Sequence, residues 1–260
     1  YHGLPLDQAS RQVDSLRTLT TLYSWLIGFG APLSVIPVAS MIGLLLVLAG
    51  VVVGSVLLFS YWHYIQESHP QASPSEYWDN IKHYRPRTTP LKSVGFHFIP
   101  LFNVYWYFVS FWGLSLDMTR YIHERNKDIR PPDSRLSLWF CILMIIPLLA
   151  VVLVLGSLFS SNALEGMESF EEMMNTNATM LGLQVFNALV SLIAYVVSIF
   201  MFRDFSRAVS EILMAEPVKP RPKYSHLAIL IACCIGGIVL LFFILLMLVI
   251  LFVASTGVPG

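Results

Sequence analysis

The chain has 260 residues, 56% of them hydrophobic and 12% charged, with sixteen Lys and Arg balanced by sixteen Asp and Glu. So much apolar surface with so little charge excludes an ordinary soluble domain. The zero net charge offers no basic excess to nucleic acid, so a nucleic-acid partner is not expected; the lipid bilayer is.

Stretches without Asp, Glu, Lys or Arg cover residues 18–66, 93–116, 136–164, 173–202 and 224–260. A spanning helix needs about 20 apolar residues. The first stretch is too long for one helix, which at about 1.5 Å per residue would reach roughly 70 Å, so it must fold back. Gly28, Gly30, Pro32 and Pro37 stand where a turn is expected. This predicts spans near 18–30 and 38–65, the first helix beginning upstream, around Arg11. No cleavable signal peptide is expected, because the first apolar run far exceeds a signal's apolar core. The chain opens at Tyr1 rather than Met, so a segment upstream of it is expected.

The basic residues choose an orientation, because Lys and Arg in short loops stay on the cytoplasmic side. Arg11 and Arg17 precede the first span, and Lys82, Arg85, Arg87 and Lys92 follow the second. Arg120, Arg125, Lys127, Arg130 and Arg135 follow the 93–116 stretch; Arg203, Arg207, Lys219, Arg221 and Lys223 follow 173–202. All sixteen share one side if residues 93–116 enter and leave by the same face; if they cross, six fall opposite the other ten. Glu165, Glu168, Glu171 and Glu172 then form an acidic loop outside.

The expected fold is therefore all-α: a polytopic helical membrane protein forming one membrane domain over residues 1–260. It has five spans, near 18–30, 38–65, 136–162, 177–203 and 225–254, plus one aromatic-rich re-entrant or interfacial segment at 93–116. Six spans are the alternative. The N-terminus is expected in the cytoplasm and the C-terminus outside. Phe96, Phe98, Phe102, Tyr105, Trp106, Tyr107, Phe111 and Trp112 are rings that favour the headgroup boundary, and Pro100 interrupts the helix near its start.

The run Phe98-Ile99-Pro100-Leu101-Phe102-Asn103, followed by Tyr105-Trp106, Trp112-Gly113 and Asp117-x-x-Arg120, resembles the signature of uncharacterised bacterial multi-spanning membrane proteins classed as domains of unknown function. Tyr61-Trp62-x-Tyr64 before a Pro-rich loop is similar too. The likeness covers roughly a quarter of the chain. It implies a bacterial inner (cytoplasmic) membrane and a multi-pass fold, and brings no activity with it.

Polar groups at membrane depth are costly and point to function. His63, His97, Asn103, Gln184, Asn187 and His226 are the candidates. Asn103 is expected to cap the helix after Pro100. The histidines at the inner leaflet suit interfacial bonding; a metal or haem site there is an alternative, without HxxxH spacing to support it. No cofactor is expected. Asp117 with Arg120 and Asp204 with Arg207 repeat one acid–base spacing, three apart on a helical face. Cys141, Cys233 and Cys234 read as packing residues.

Gly50 and Gly54 form a GxxxG step, and Gly236 and Gly237 continue small-residue steps in the last span, surfaces on which helices approach closely within a chain or between copies. A homo-oligomer or a membrane-protein partner is expected. No nucleophile–base pair or phosphate loop is visible, so an enzyme is not expected. The function expected is a scaffold or accessory subunit; an oligomeric channel or small-solute transporter lined by the 93–116 segment is the alternative.

Overall fold

A computed structural model of the protein describes residues 6–35, 39–66, 87–99, 102–124, 128–160, 170–215, 222–232 and 247. Among them the fold is all-α, without a strand. The elements are α1 (Leu6–Val35), α2 (Ser40–Gln66), α3 (Pro90–Gly95) running into a 3₁₀ turn (Phe96–Phe98), α4 (Phe102–Tyr107), a π-turn (Phe108–Trp112), α5 (Gly113–Glu124), α6 (Ser134–Ser160) and α7 (Phe170–Ala215). Residues 225–232 are also helical. The last expected span beyond residue 232, with Cys233, Cys234, Gly236 and Gly237, lies outside the described residues, as do Glu165 and Glu168.

The turn expected around Gly28, Gly30 and Pro32 falls later. α1 runs through all three to Val35, with Pro32 inside it. Proline forfeits one backbone hydrogen bond, and here the loss comes only a turn before the helix ends. Gly30, with Gly43, Gly50 and Gly54 on α2, serves the packing of α1 against α2. A Cβ at Gly30 would lie 2.8 Å from Leu46 Cβ, one at Gly50 2.6 Å from Ile27 Cδ1, and one at Gly54 3.0 Å from Tyr23 Cε2; a Cβ at Gly43 would overlap the backbone of Leu33 and Ser34. The Gly50–Gly54 step is thus taken by α1 of the same chain. It does not offer a face to a second copy.

α1 begins well upstream of residue 18. Ala9, Val13, Leu16, Thr20, Tyr23, Ile27 and Ala31 are buried along it, a stripe at three- and four-residue spacing that continues through the charged first turns. α7 likewise outruns the span expected at 177–203. Its 46 residues extend about 69 Å, and past Arg203 the buried Phe205, Ala208, Val209, Ile212 and Leu213 keep one face packed. Loss of apolar character on the other face, rather than the end of the helix, closes the charge-free run.

Residues 87–124 form a helical hairpin. Thr89 caps α3 by accepting the Lys92 N–H at 3.3 Å, and Pro90 opens it, where the missing N–H costs nothing. The arm ending at Ile99 lies against the returning arm of α4, the π-turn and α5; Pro100 lies outside the described residues. The two arms face each other: Phe96 and Trp106 ring centres are 4.6 Å apart, His97 Nε2 and Ser110 Oγ 2.9 Å, and Arg87 Nε and Asp117 Oδ1 3.1 Å. Residues 93–116 are therefore not one straight helix, and the segment ends beside its start.

The helix ends gather around this hairpin. Tyr61 and Trp62 near the end of α2, Phe111 on the hairpin, Phe140 and Cys141 near the start of α6, and Phe202 and Phe205 on α7 form one buried cluster. Away from it the exterior turns apolar: Trp25 and Phe29 on α1, Met41, Leu45 and Leu48 on α2, and Leu189, Ile193 and Phe200 on α7 are exposed. Among the described residues two helices, Ser40–Gln66 and Leu181–Ala215, are long and apolar enough to cross a membrane, by length and composition.

The glycine contacts predict a contrast. Gly28 has open space, with only Ile199 Cδ1 at 4.0 Å, so Gly28→Ala should hold or raise stability by up to about 1 kcal/mol through helix propensity. Gly43→Ala drives a methyl into backbone that cannot give way and should cost about 1–3 kcal/mol. Thermal unfolding of the two variants in detergent, followed by circular dichroism, measures the difference.

Candidate functional site

The ends gathered at the hairpin carry several polar side chains tied across the fold. Within the π-turn, where the Gly113 N–H bonds back five residues to the Phe108 carbonyl, the Ser110 carbonyl accepts the indole N–H of Trp62 at 3.1 Å. Trp62 is fully buried, and a buried indole N–H needs such a partner. Ser110 Oγ lies 2.7 Å from the Trp106 carbonyl and 2.9 Å from His97 Nε2. A hydroxyl has one proton to give. Both contacts are hydrogen bonds at once only if His97 donates from Nε2 while Ser110 donates to the Trp106 carbonyl. Tyr107 and Phe111 meet the imidazole edge-on, so His97 links the two arms of the hairpin.

Asp117 is fully buried. Its Oδ2 accepts the backbone N–H of Arg87 at 3.1 Å, and the Arg87 guanidinium stands against Oδ1. The expected pairing with Arg120 does not form; Arg120 is exposed one turn on. Burial sets the choice, because α5 turns Asp117 inward and Arg120 outward, and the chain before α3 brings Arg87 to the carboxylate.

Asp204 and Arg207 do pair, at 2.8 Å, toward the C-terminal end of α7. Arg207 also donates to Glu211 Oε1 and to the Arg130 carbonyl, both at 3.2 Å. Asp204 Oδ2 accepts the backbone N–H of Asp133 at 2.7 Å, while Asp133 Oδ1 takes the Arg135 N–H at the start of α6. The two aspartates, though not the two acid–base pairs, thus share a use. Each aspartate holds a backbone N–H in the connection leading into the next long helix or hairpin.

Asn103 is inside α4 rather than at its cap, since its own N–H bonds the Ile99 carbonyl at 3.0 Å. His63 stacks on Phe59. Among the described residues no three His, Cys, Asp or Glu converge as metal ligands, and Cys141 is buried with Sγ 3.3 Å from the Tyr107 carbonyl.

Beside the Asp204–Arg207 pair, α1, α7 and residues 128–129 enclose a cleft of about 860 Å³. Arg17, Arg203, Arg207, Asp128 and Glu211 supply its charge, Thr20, Thr21, Ser206 and Ser210 its hydroxyls, and Val13, Ile129 and Met214 its apolar walls. Of the sequence candidates only Arg207 lines it. Arg87, Trp62 and Asp133 meet their mates only across a fold of the chain, 30 residues away for Arg87 and Asp117, 48 for Trp62 and Ser110 and 71 for Asp133 and Asp204, so spacing along the sequence does not pair them. No protein-family model, curated protein or solved structure matches the chain.

Asp117 supplies a stability test. Arg87→Ala removes the counter-charge of a sealed carboxylate, a change worth about 3–5 kcal/mol for a fully buried pair. Arg87 is 38% exposed, and screening reduces the expected loss to about 1–3 kcal/mol. Adding Asp117→Asn should recover part of it, and a double-mutant cycle on melting in detergent reads the coupling.

Proposed function

We propose that the protein is a non-enzymatic integral membrane protein acting as a scaffold or accessory subunit, with the hairpin 87–124 entering and leaving by the cytoplasmic face. The observation carrying this reading is the aromatic packing where the helix ends meet: Tyr61 and Trp62 are fully buried, and Phe111, Phe202 and Phe205 fill the space around them. A conduction path along the hairpin needs polar groups facing water. Here His97, Ser110 and Trp62 face one another instead, and the carboxylates at this end bind backbone and guanidinium.

In this reading the five spans are the apolar parts of α1, α2, α6 and α7 and the helix that opens at residue 225. The exposed apolar side chains of α2 and α7 meet lipid or a partner's helices. The basic side chains lie in the cytoplasm, the N-terminus with them and the C-terminus outside, in a bacterial inner membrane. The hairpin favours this topology over six spans because its two ends lie side by side, as the charge distribution requires.

In a cysteine-free background, single cysteines at Lys92, Glu124 and Ser169 separate the topologies. An impermeant thiol reagent added to intact cells should label Ser169→Cys and spare both Lys92→Cys and Glu124→Cys; labelling at just one end of the hairpin means that it crosses. Reconstituted in liposomes, the protein should conduct no ions, and native mass spectrometry from mild detergent should show a homo-oligomer or a complex with another membrane protein. Ion flux abolished by His97→Leu in a folded variant would establish a channel, and a flux-free monomer would leave the scaffold reading without support.

A further inference from the structure

We propose that the cleft between α1, α7 and residues 128–129 binds the phosphate of a lipid headgroup through Arg17, Arg203 and the hydroxyl of Ser210. Three arginines and two acids line it, but their charges are not equally committed. Arg207 is bound to Asp204, Glu211 and the Arg130 carbonyl, which also occupies Glu211. Arg17 and Arg203 are exposed and, among the described residues, make no ion pair. Two uncommitted guanidiniums facing one space are suited to a phosphate, which their planar donor forks match.

Ser210 points to the same ligand independently. It is 6% exposed, and its hydroxyl has no hydrogen-bond partner. Many helix hydroxyls of this protein turn back to a carbonyl three or four residues earlier, as in Thr20, Ser24, Ser55, Ser60 and Ser198; among the described residues Ser115 on α5 shares the unpaired state of Ser210 but does not line this cleft. Ser210 forgoes that bond and lines the cleft. A buried hydroxyl left unpaired is costly, and a phosphate oxygen between the arginines would accept its proton.

The position favours a lipid as the source. Thr21 and Arg203 line the cleft, and one turn farther along each helix Trp25 and Phe200 are exposed and apolar. A ligand whose phosphate sits between the arginines has an apolar surface on which to lay its chains. Asp128 stands beside the arginines and limits the net positive charge, so a phosphodiester suits the site better than a more highly charged group. The lipid source rests on the membrane reading above; recognition of phosphate does not.

The full chain in mild detergent, titrated with phosphatidylglycerol and examined by native mass spectrometry and thermal melting, tests the site. Wild type and the control Arg120→Gln should retain the lipid and melt higher with it. Arg17→Gln/Arg203→Gln should weaken retention at least about tenfold, equivalent to 1.4 kcal/mol, and Arg17→Lys/Arg203→Lys should recover part of it. Ser210→Ala should melt no lower than wild type without lipid yet gain less from adding it. Equal retention by wild type and a folded double Gln variant overturns the site. Stabilisation by inorganic phosphate or glycerol phosphate as large as that by the lipid overturns the lipid source, and neither result bears on the cysteine labelling that tests the membrane topology.

Discussion

A carboxylate sealed from solvent constrains where the rest of the chain can go. Asp117 sits on α5 with no exposed surface, and such a group must find a charge and hydrogen-bond donors or remain a large penalty. Arg87 supplies both a guanidinium and a backbone N–H. To do so, the chain before α3 must lie against α5, which closes residues 87–124 into a hairpin. Once closed, the hairpin presents the Ser110 carbonyl to Trp62 and Phe111 to Phe140 and Phe202. The ends of α2, α6 and α7 are thereby brought to one level.

Asp204 makes the corresponding constraint for the second half. Its grip on the Asp133 N–H and the reach of Arg207 to the Arg130 carbonyl hold the connection before α6 against α7. Arg207 also draws in Glu211. This local neutralisation leaves Arg17 and Arg203 as the uncommitted cations of the neighbouring cleft. A structural clamp on one side thus shapes the electrostatics of the space beside it.

Farther from this end, contact is made by shape rather than by charge. Gly30, Gly43, Gly50 and Gly54 let α1 and α2 approach until backbone meets backbone or side-chain tips. Close approach of this kind matters most where lipid replaces water, because apolar side chains then gain little from leaving their solvent and dispersion contacts must hold the helices together. The exposed Trp25, Leu45 and Leu189 leave the outer faces of α1, α2 and α7 apolar as well.

The all-α class, the stretches long enough to make apolar helices, and the special status of residues 93–116 were determined by the sequence itself, because helix length and charge placement are local quantities. The pairing of Asp204 with Arg207 was legible for the same reason, from spacing within a turn. Tertiary structure alone decided that Asp117 turns to Arg87 instead of Arg120, that Gly50 and Gly54 serve α1, and that α1 and α7 continue through charged sequence on the strength of one buried face. It alone assembled Arg17, Arg203 and Ser210 around a common cleft. Burial and long-range contact choose among partners that sequence spacing ranks equally, and neither quantity exists until the helices pack.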